Sequence, residues 1–210
     1  MGTMKTQKYN SGVTIRKRAI SLILALVLFA LILPTGSFAA SEQTYTLGDW
    51  QYQLHGPTVI ITGYTGQGGA VTIPGAIESM PVLYIGSRVF QDRTGLTSVT
   101  IPNGVAGILE NAFAGCTGLR SVTIPSSVTW ISERAFADCI LLYDIYFSSA
   151  TPPTTVGNAA FSNISSGARA IVPNGAAEYG SEGSLWNGLV VTSLQNAAHI
   201  SVTNIAGLPT

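Results

Sequence analysis

The chain lacks the cationic side chains with which proteins hold polyanions. No lysine follows Lys17, and the residues after position 39 contain five arginines against ten acidic residues, a net charge of about −5. Neutralising phosphates requires clustered lysine and arginine side chains, so we do not expect the protein to bind nucleic acid. A Walker-type phosphate loop and a lysine Schiff base both require an amine that this part of the chain does not contain.

Residues that usually build catalytic or metal sites are also scarce. The chain contains only two cysteines, and they do not have a C-x-x-C spacing, which argues against a structural zinc site. Its two histidines are isolated, His55 in a predicted turn and His199 near the C terminus, and the G-x-S-x-G motif of serine hydrolases is absent. We therefore expect no catalytic residue, no metal and no cofactor.

The first 39 residues are predicted to be a secretory signal peptide. Five basic residues in segment 5–18 precede an apolar run at 20–33, and Ser37-Phe38-Ala39 gives a small-x-small cleavage pattern. The apolar run is shorter than the ~20 residues of a permanent transmembrane helix. We expect cleavage after Ala39 and contact with the membrane only during export; an uncleaved N-terminal anchor is the alternative.

One sequence pattern recurs every 23 residues and dominates the middle of the chain. Its aromatic position falls at Phe90, Phe113 and Phe136. Three aliphatic positions keep the same spacing: Ile85, Ile108 and Ile131; Leu96, Leu119 and Leu142; Val99, Val122 and Ile145. Self-similarity of this period indicates a solenoid, in which each repeat is one coil stacked on the previous coil. A solenoid presents a continuous surface, so the pattern favours a binding or display module over an enzyme.

Each coil reads L-x-x-V-x-I-P-x-x-x-V-x-x-I-x-x-x-A-F-x-x-C-x-x. The V-x-I segment alternates apolar and polar residues, which predicts a strand with one buried face, and Pro102 and Pro125 end it because proline has no N–H to donate. V-x-x-I predicts a second short extended piece, and A-F-x-x-C a single helical turn. At Gly95 and Gly118, just before the next strand, we expect a positive φ. The predicted fold class is a mainly β repeat solenoid.

The pattern also sets the predicted boundaries. The first coil has five extra residues between Pro74 and Val82, which predict a bulged turn, and His55-Gly56-Pro57 predicts the turn of an earlier hairpin. The predicted segments are the signal peptide at 1–39, an N-terminal β-hairpin cap with the first strand at 40–73, the coils with a C-terminal cap at 74–191, and a linker or the start of a further module at 192–210.

The coil motif resembles the repeat of the BspA-type leucine-rich repeat family. The matching text is LTSVTIPNGVAGILENAFAGC and LRSVTIPSSVTWISERAFADC, and the likeness covers about residues 44–191. The resemblance implies a leucine-rich repeat solenoid in a secreted or surface-attached bacterial protein, without shared catalytic residues; several family members are implicated in adhesion. The chain departs from the pattern at Arg93, which replaces the cysteine, and at Leu109 and Ser132, which replace the glycine kept at Gly86.

The repeat places its phenylalanines and cysteines in the core. Phe90, Phe113 and Phe136 are predicted to stack as the spine of the core, since neighbouring coils are separated by ~4.8 Å. Cys116 and Cys139 occupy the same position in adjacent coils, where a disulfide could span their separation in an exported protein. We expect two buried thiols, because the family usually keeps this position as a core ladder; the disulfide is the alternative.

The outward strand positions are the candidate binding surface. Its candidate residues are Tyr84, Trp130, Tyr146, Thr123 and Asp144. Tyr84 and Trp130 share one column on the V-x-x-I segment, and the other three belong to the V-x-I strand. Tyrosine and tryptophan on a rigid scaffold anchor interfaces and also stack on sugars. Cross-strand packing of surface side chains is the alternative interpretation.

Two acidic residues in adjacent coils need a separate interpretation. Glu110 and Glu133 are one period apart, and a pair of carboxylates can perform acid–base catalysis. Because Arg88, Asn111 and Arg134 are neighbours, we expect surface pairing instead.

The sequence therefore predicts a secreted or cell-surface, non-catalytic module that binds an extracellular protein or glycan, with adhesion as the expected role. A structural spacer or display scaffold for other surface domains is the alternative, and domains C-terminal to this chain are further expected partners. One face of four short strands covers only about 320 Å², less than the ~800 Å² that each partner contributes to a standard interface. We expect weak binding by a single module.

Overall fold

Two long sheets run along the repeat region, one for each strand of the coil. The computed structural model describes residues 43–203 of the 210-residue chain, with side chains up to residue 198. The predicted signal peptide at 1–39, the alternative anchor and residues 204–210 lie outside the described residues.

The described residues form fifteen strands and one α-helix. The strands are β1 (Thr44–Leu47), β2 (Trp50–His55), β3 (Thr58–Tyr64), β4 (Gly69–Thr72), β5 (Ala76–Ile77), β6 (Met80–Ile85), β7 (Leu96–Thr100), β8 (Gly107–Ile108), β9 (Ser121–Ile124), β10 (Trp130–Ile131), β11 (Asp144–Phe147), β12 (Thr155–Val156), β13 (Arg169–Val172), β14 (Leu185–Trp186) and β15 (Leu189–Ser193). The helix α1 spans Leu194–Thr203 and follows β15 directly.

The strand order is that of a solenoid. The first sheet has the order β1-β2-β3-β6-β8-β10-β12, with β5 paired to β6. The second sheet has the order β14-β15-β13-β11-β9-β7-β4. Within the repeat region every neighbour in both sheets is parallel, as in β8–β10 and β9–β11, so each coil adds one strand to each sheet. The predicted fold class, a mainly β repeat solenoid, is confirmed.

The third side of each coil is a column of tight turns. Backbone hydrogen bonds join one turn to the next: Phe90 N–H donates to Ala112 O, and Phe113 N–H donates to Ala135 O, both at 2.8 Å. Inside a turn, Cys116 N–H donates to Phe113 O at 3.2 Å. The stacked coils therefore satisfy one another's buried backbone groups on all three sides, as burial of a polar main chain requires.

Two local predictions were wrong. Neither Gly95 nor Gly118 has a positive φ; a Cβ placed on Gly118 would lie 2.5 Å from Thr94 O, so close backbone packing excludes a side chain there. The extra residues of the first coil form a hairpin between β5 and β6 instead of a bulged turn. Its turn residues Glu78 and Ser79 have φ values of 49° and 69°, which suits the tight turns that connect two antiparallel strands.

The N-terminal end of the solenoid is covered by a meander of antiparallel strands. β1, β2 and β3 pair in sequence, and β3 then pairs in parallel with β6 of the first coil. The rings of Trp50 and Tyr64 lie against Phe90, with centroids 6.2 and 5.4 Å from its own. This covers the open end of the phenylalanine column and keeps it from water.

Arg93 connects this meander to the first coil. Its Nη1 donates to Gly66 O at 3.1 Å, and its Nη2 donates to Tyr64 O. The guanidinium carbon also lies 5.6 Å from the centre of the Tyr64 ring. The position occupied by cysteine in later coils is thus an arginine here because the neighbour on that side is a loop with exposed carbonyl groups.

Replacing Arg93 with methionine is expected to lower the thermal unfolding midpoint. Each lost hydrogen bond from a charged donor costs about 1.5–3 kcal/mol, and two carbonyl groups lose their partner. Circular dichroism during heating measures the change. Arg120→Met is the matched control, because Arg120 is exposed and its side chain makes no hydrogen bond to the described residues. Equal midpoints for both variants would contradict this role of Arg93.

The C-terminal end is closed by an aromatic cluster and a hairpin. Tyr179 lies at the end of a 3-10 turn, Ala177–Tyr179, and its ring contacts Phe147 and Trp186 at centroid distances of 5.3 and 4.9 Å. Burial raises the pKa of the Tyr179 hydroxyl, which donates to Thr151 O at 3.2 Å. The sequence predicted neither this hairpin nor α1, and the assignment of 192–210 as a linker or further module stays a prediction.

Candidate ligand-binding surface

The phenylalanine column is the spine of the core. Phe113 lies between Phe90 and Phe136 with ring centroids 5.0 Å apart on both sides and interplanar angles of 5° and 4°. Phe161 continues the column at 5.6 Å from Phe136. Parallel rings at this centroid separation are offset, which is the favoured arrangement of aromatic pairs. All four rings are buried, so the column stabilises the solenoid and takes no part in its surface.

The two cysteines are part of the same core. Cys116 and Cys139 are free thiols and fully buried; their Sγ atoms donate to Phe90 O at 3.0 Å and to Phe113 O at 3.1 Å. A hydrogen bond with Cys116, together with burial, raises the pKa of Cys139. Both groups therefore act as small apolar residues with a weak donor.

The outer face of the first sheet carries one row of side chains in strict register. We call it the first-sheet row; its members are Gln53, Ile60, Tyr84, Gly107, Trp130 and Thr155. Trp130 is 52% exposed although it belongs to a two-residue strand held between β8 and β12. A Cβ placed on Gly107 would lie 2.8 Å from Cδ1 and 3.0 Å from Cε1 of Tyr84, so the Tyr84 ring occupies the space above the glycine.

The second sheet has its own outward column. Thr123 pairs with Thr100 on one side and with Tyr146 on the other. Tyr146 is 36% exposed. The five candidate residues therefore lie on the outer faces of two different sheets, Tyr84 and Trp130 on one face and the other three on the second.

Asp144 forms an ion pair that the sequence did not predict. Its Oδ1 accepts from Nε and Nη2 of Arg169 at 2.8 and 2.7 Å. Arg169 is only 9% exposed, and its guanidinium carbon lies 5.1 Å from the centre of the Tyr143 ring. Asp144 is therefore an ion-paired member of the candidate surface and not a free carboxylate, and its part in binding stays a prediction. Arg169 lies opposite Asp144 in the parallel register, and the weak repeat pattern after Phe147 hid this pairing.

Helix α1 turns the end of the second face into a groove. The helix packs against β13 and β15, and Ile171 of β13, the register partner of Tyr146, is fully buried. A groove of about 220 Å³ results; it is lined by Tyr146, Arg169, Leu194, Ala197 and Ala198. Nη1 of Arg169 is buried there without a hydrogen-bond partner among the described residues. Tyr146 thus lies in a partly walled groove, whereas Trp130 lies on an open face.

The glutamates and histidines singled out from the sequence do not form one site. Asn111 donates to Glu110 at 2.9 Å, which is the kind of surface pairing predicted for Glu110, whereas Arg134 pairs with Asp138 at 2.8 Å. Exposed pairs of this kind contribute little to stability. His55 is exposed as the last residue of β2, next to the turn in which it was predicted, and the side chain of His199 lies outside the described ones.

Neither a metal-holding group of side chains nor a membrane-spanning helix is present among the described residues. Among the side chains up to residue 198, no group of three or more histidine, cysteine, aspartate or glutamate residues is placed to hold a metal ion. Between residues 43 and 203, no helix has the length and hydropathy needed to cross a bilayer.

A parallel, mainly β coil of about 23 residues with a buried apolar ladder defines the leucine-rich repeat class of solenoid. The family model described as BspA type leucine rich repeat region matches residues 81–187 in six copies. The match spans half of the chain, and the chain belongs to this family. The matched family describes a repeat region and not an enzyme. No curated protein matches the chain.

Solved leucine-rich repeat proteins share the fold. The protein TpLRR of T. pallidum is 24% identical over 72% of this chain and 84% of its own, with a TM-score of 0.51. A leucine-rich repeat protein from Bacteroides ovatus is 24% identical over 71% of this chain and 41% of its own, with a TM-score of 0.50. One from Bacteroides capillosus is 26% identical over 72% of this chain and 99% of its own, with a TM-score of 0.48.

Proposed function

We propose that the protein is an exported, non-catalytic binding module of a bacterial cell surface, and that its exposed aromatic side chains contact the ligand. The observation that carries the proposal is Trp130, which is 52% exposed on a strand fixed by neighbours on both sides. A large aromatic ring that is already held in place loses little conformational freedom on binding and buries a large apolar area.

The proposed location follows from the N-terminal segment. Its basic, apolar and small-residue regions are those of a signal peptide, and export would bring the repeat region into contact with extracellular proteins and glycans. Adhesion is the role that this combination supports best. Because one face covers only about 320 Å², strong attachment would depend on many copies acting together on one cell.

A structural role is the second candidate. The continuous stack from Phe90 to Phe161 and the covers at both ends make a stiff body, which suits a spacer that holds other surface domains away from the cell. A spacer needs no exposed tryptophan. Variants of the exposed aromatic residues should therefore weaken binding only if the protein is a binding module.

Replacing Trp130 or Tyr146 with alanine is expected to leave the unfolding midpoint nearly unchanged and to weaken ligand binding. Loss of an interface anchor costs about 2 kcal/mol or more, which corresponds to ~30-fold weaker binding. The measurement is biolayer interferometry of the protein on immobilised matrix proteins and glycans, with thermal unfolding in parallel. Thr100→Ala, at an exposed position of the second sheet, is the control. Wild-type binding by both aromatic variants would favour the spacer.

A further inference from the structure

The first-sheet row is uncharged along its whole length. Its members provide two aromatic rings, an aliphatic side chain, an amide, a glycine and a hydroxyl group. Beside it, Thr129 and Thr154 add exposed hydroxyl groups, and Thr154 Oγ1 donates to Thr129 O at 2.9 Å. A face of this composition offers apolar contact and hydroxyl hydrogen bonds but no attraction for an anion.

The row also has a regular spacing along the solenoid axis. Successive parallel strands are ~4.8 Å apart, so Tyr84 and Trp130, which are separated by one coil, lie ~9.6 Å apart along the axis. An extended β-1,4-linked pyranose chain advances by about the distance of one coil per sugar. Consecutive sugars of such a chain therefore stay in register with consecutive coils of the first-sheet row.

Gly107 makes the two aromatic side chains part of one continuous shelf. The absence of a side chain there lets the Tyr84 ring extend over Gly107, and Trp130 Cβ lies 3.7 Å from the position a Cβ would take on the glycine. The middle coil thus leaves no side chain standing between the two rings. A linear ligand can lie flat across three coils.

We propose that the first-sheet row binds a neutral, linear, β-1,4-linked polysaccharide along the solenoid axis, with C–H faces of its sugars on the Tyr84 and Trp130 rings. This proposal rests on the proposed function, because it names the ligand class of that surface. The row contains no cation, and residues 40–210 carry a net charge of about −5, which disfavours acidic polysaccharides. The two-residue strands β8, β10 and β12 also make a face smaller than the ~800 Å² that a protein partner needs, but it suits a short stretch of sugar chain.

Isothermal titration calorimetry of the protein with cellohexaose, chitohexaose and hexamannuronate, an acidic chain with the same β-1,4 linkage, tests the proposal. We expect saturable binding of at least one neutral hexaose, an affinity that increases from the trimer to the hexamer, and no binding of the acidic chain. Trp130→Ala is expected to reduce the affinity for the neutral hexaose about tenfold or more. Equal binding of hexamannuronate would overturn the proposal.

Two further variants distinguish a loss of hexaose binding at the first-sheet row from a folding defect and from binding at the second sheet. Gly107→Ala places a Cβ against the Tyr84 ring, which has to move aside as a side chain; we expect several-fold weaker hexaose binding without loss of folding. Thr100→Ala lies on the second sheet, outside the first-sheet row and the five candidate residues, and is expected to bind hexaose as the wild type does. If no neutral hexaose binds while Trp130→Ala weakens capture of a matrix protein, this inference fails and the proposed function stands. If neither aromatic variant weakens any binding, the proposed function fails, and this inference with it.

Discussion

Replacing Phe113 with alanine is expected to destabilise the solenoid by about 3–5 kcal/mol, the cost of removing a buried phenylalanine ring. Phe113 is fully buried and is stacked between two other rings at 5.0 Å on each side. The cavity would open in the middle of the column, where the backbone ladders on three sides prevent the coils from collapsing into it. Natural domains are stable by only about 5–15 kcal/mol, so the loss is a large share of the total.

Thermal or urea unfolding followed by circular dichroism measures this effect. Phe161→Ala is the informative comparison, because Phe161 contacts a single ring of the column and lies near its end; its cost is expected to be smaller. Thr123→Ala on the exposed face is expected to be nearly neutral. An unfolding midpoint for Phe113→Ala close to that of Thr123→Ala would refute the stacked core as the main source of stability.

Replacing Gly157 with alanine is expected to cost about 1–3 kcal/mol or more through overpacking. A Cβ on Gly157 would lie 2.3 Å from Glu133 N and 2.6 Å from Ser132 C, which are backbone atoms of the preceding coil. The N–H of Gly157 donates to Ile131 O at 2.8 Å, so the coil cannot shift away without losing that bond. The last coil would separate locally, and the first sheet would lose its edge strand β12.

The matched control for Gly157→Ala is Ser132→Ala. Ser132 holds the same position one coil earlier and already carries a Cβ, so the change only removes a hydroxyl group and is expected to have little effect. Hydrogen exchange of the backbone amides around β12 would show the local opening in the glycine variant. Comparable stability of the two variants would mean that the close approach at Gly157 relaxes freely.

The repeat period predicted much of the fold because one spacing determines which residues of adjacent coils lie side by side. Residues one period apart lie side by side in adjacent coils, so Val99 pairs with Val122 and Val122 with Ile145, as the register of the second sheet shows. The period did not predict the elements that cover the two ends of the solenoid. The strand β1, the hairpin of β14 and β15, and α1 each cover an end of the solenoid, and covering elements need only fit the last coil, without following its pattern.

The candidate surface was predictable in part for the same reason. Strand alternation identified Tyr84 and Trp130 as neighbours in one outward row. It did not reveal that Asp144 is neutralised by Arg169, that α1 builds a wall beside Tyr146, or that Gly107 leaves space for a ring. Each of these depends on contacts between different coils or elements. A local sequence pattern does not specify how those segments are placed relative to one another.

The sequence by itself determined the coil, its buried face and the stacking of its phenylalanines, because these follow from a period that repeats along one dimension. Tertiary structure alone decided which glycines are required by close backbone contact, which charged side chains pair across coils, and how the two ends are covered. Those features depend on distances between segments that are remote in the chain and differ from coil to coil, and a repeated local pattern carries no information about such distances.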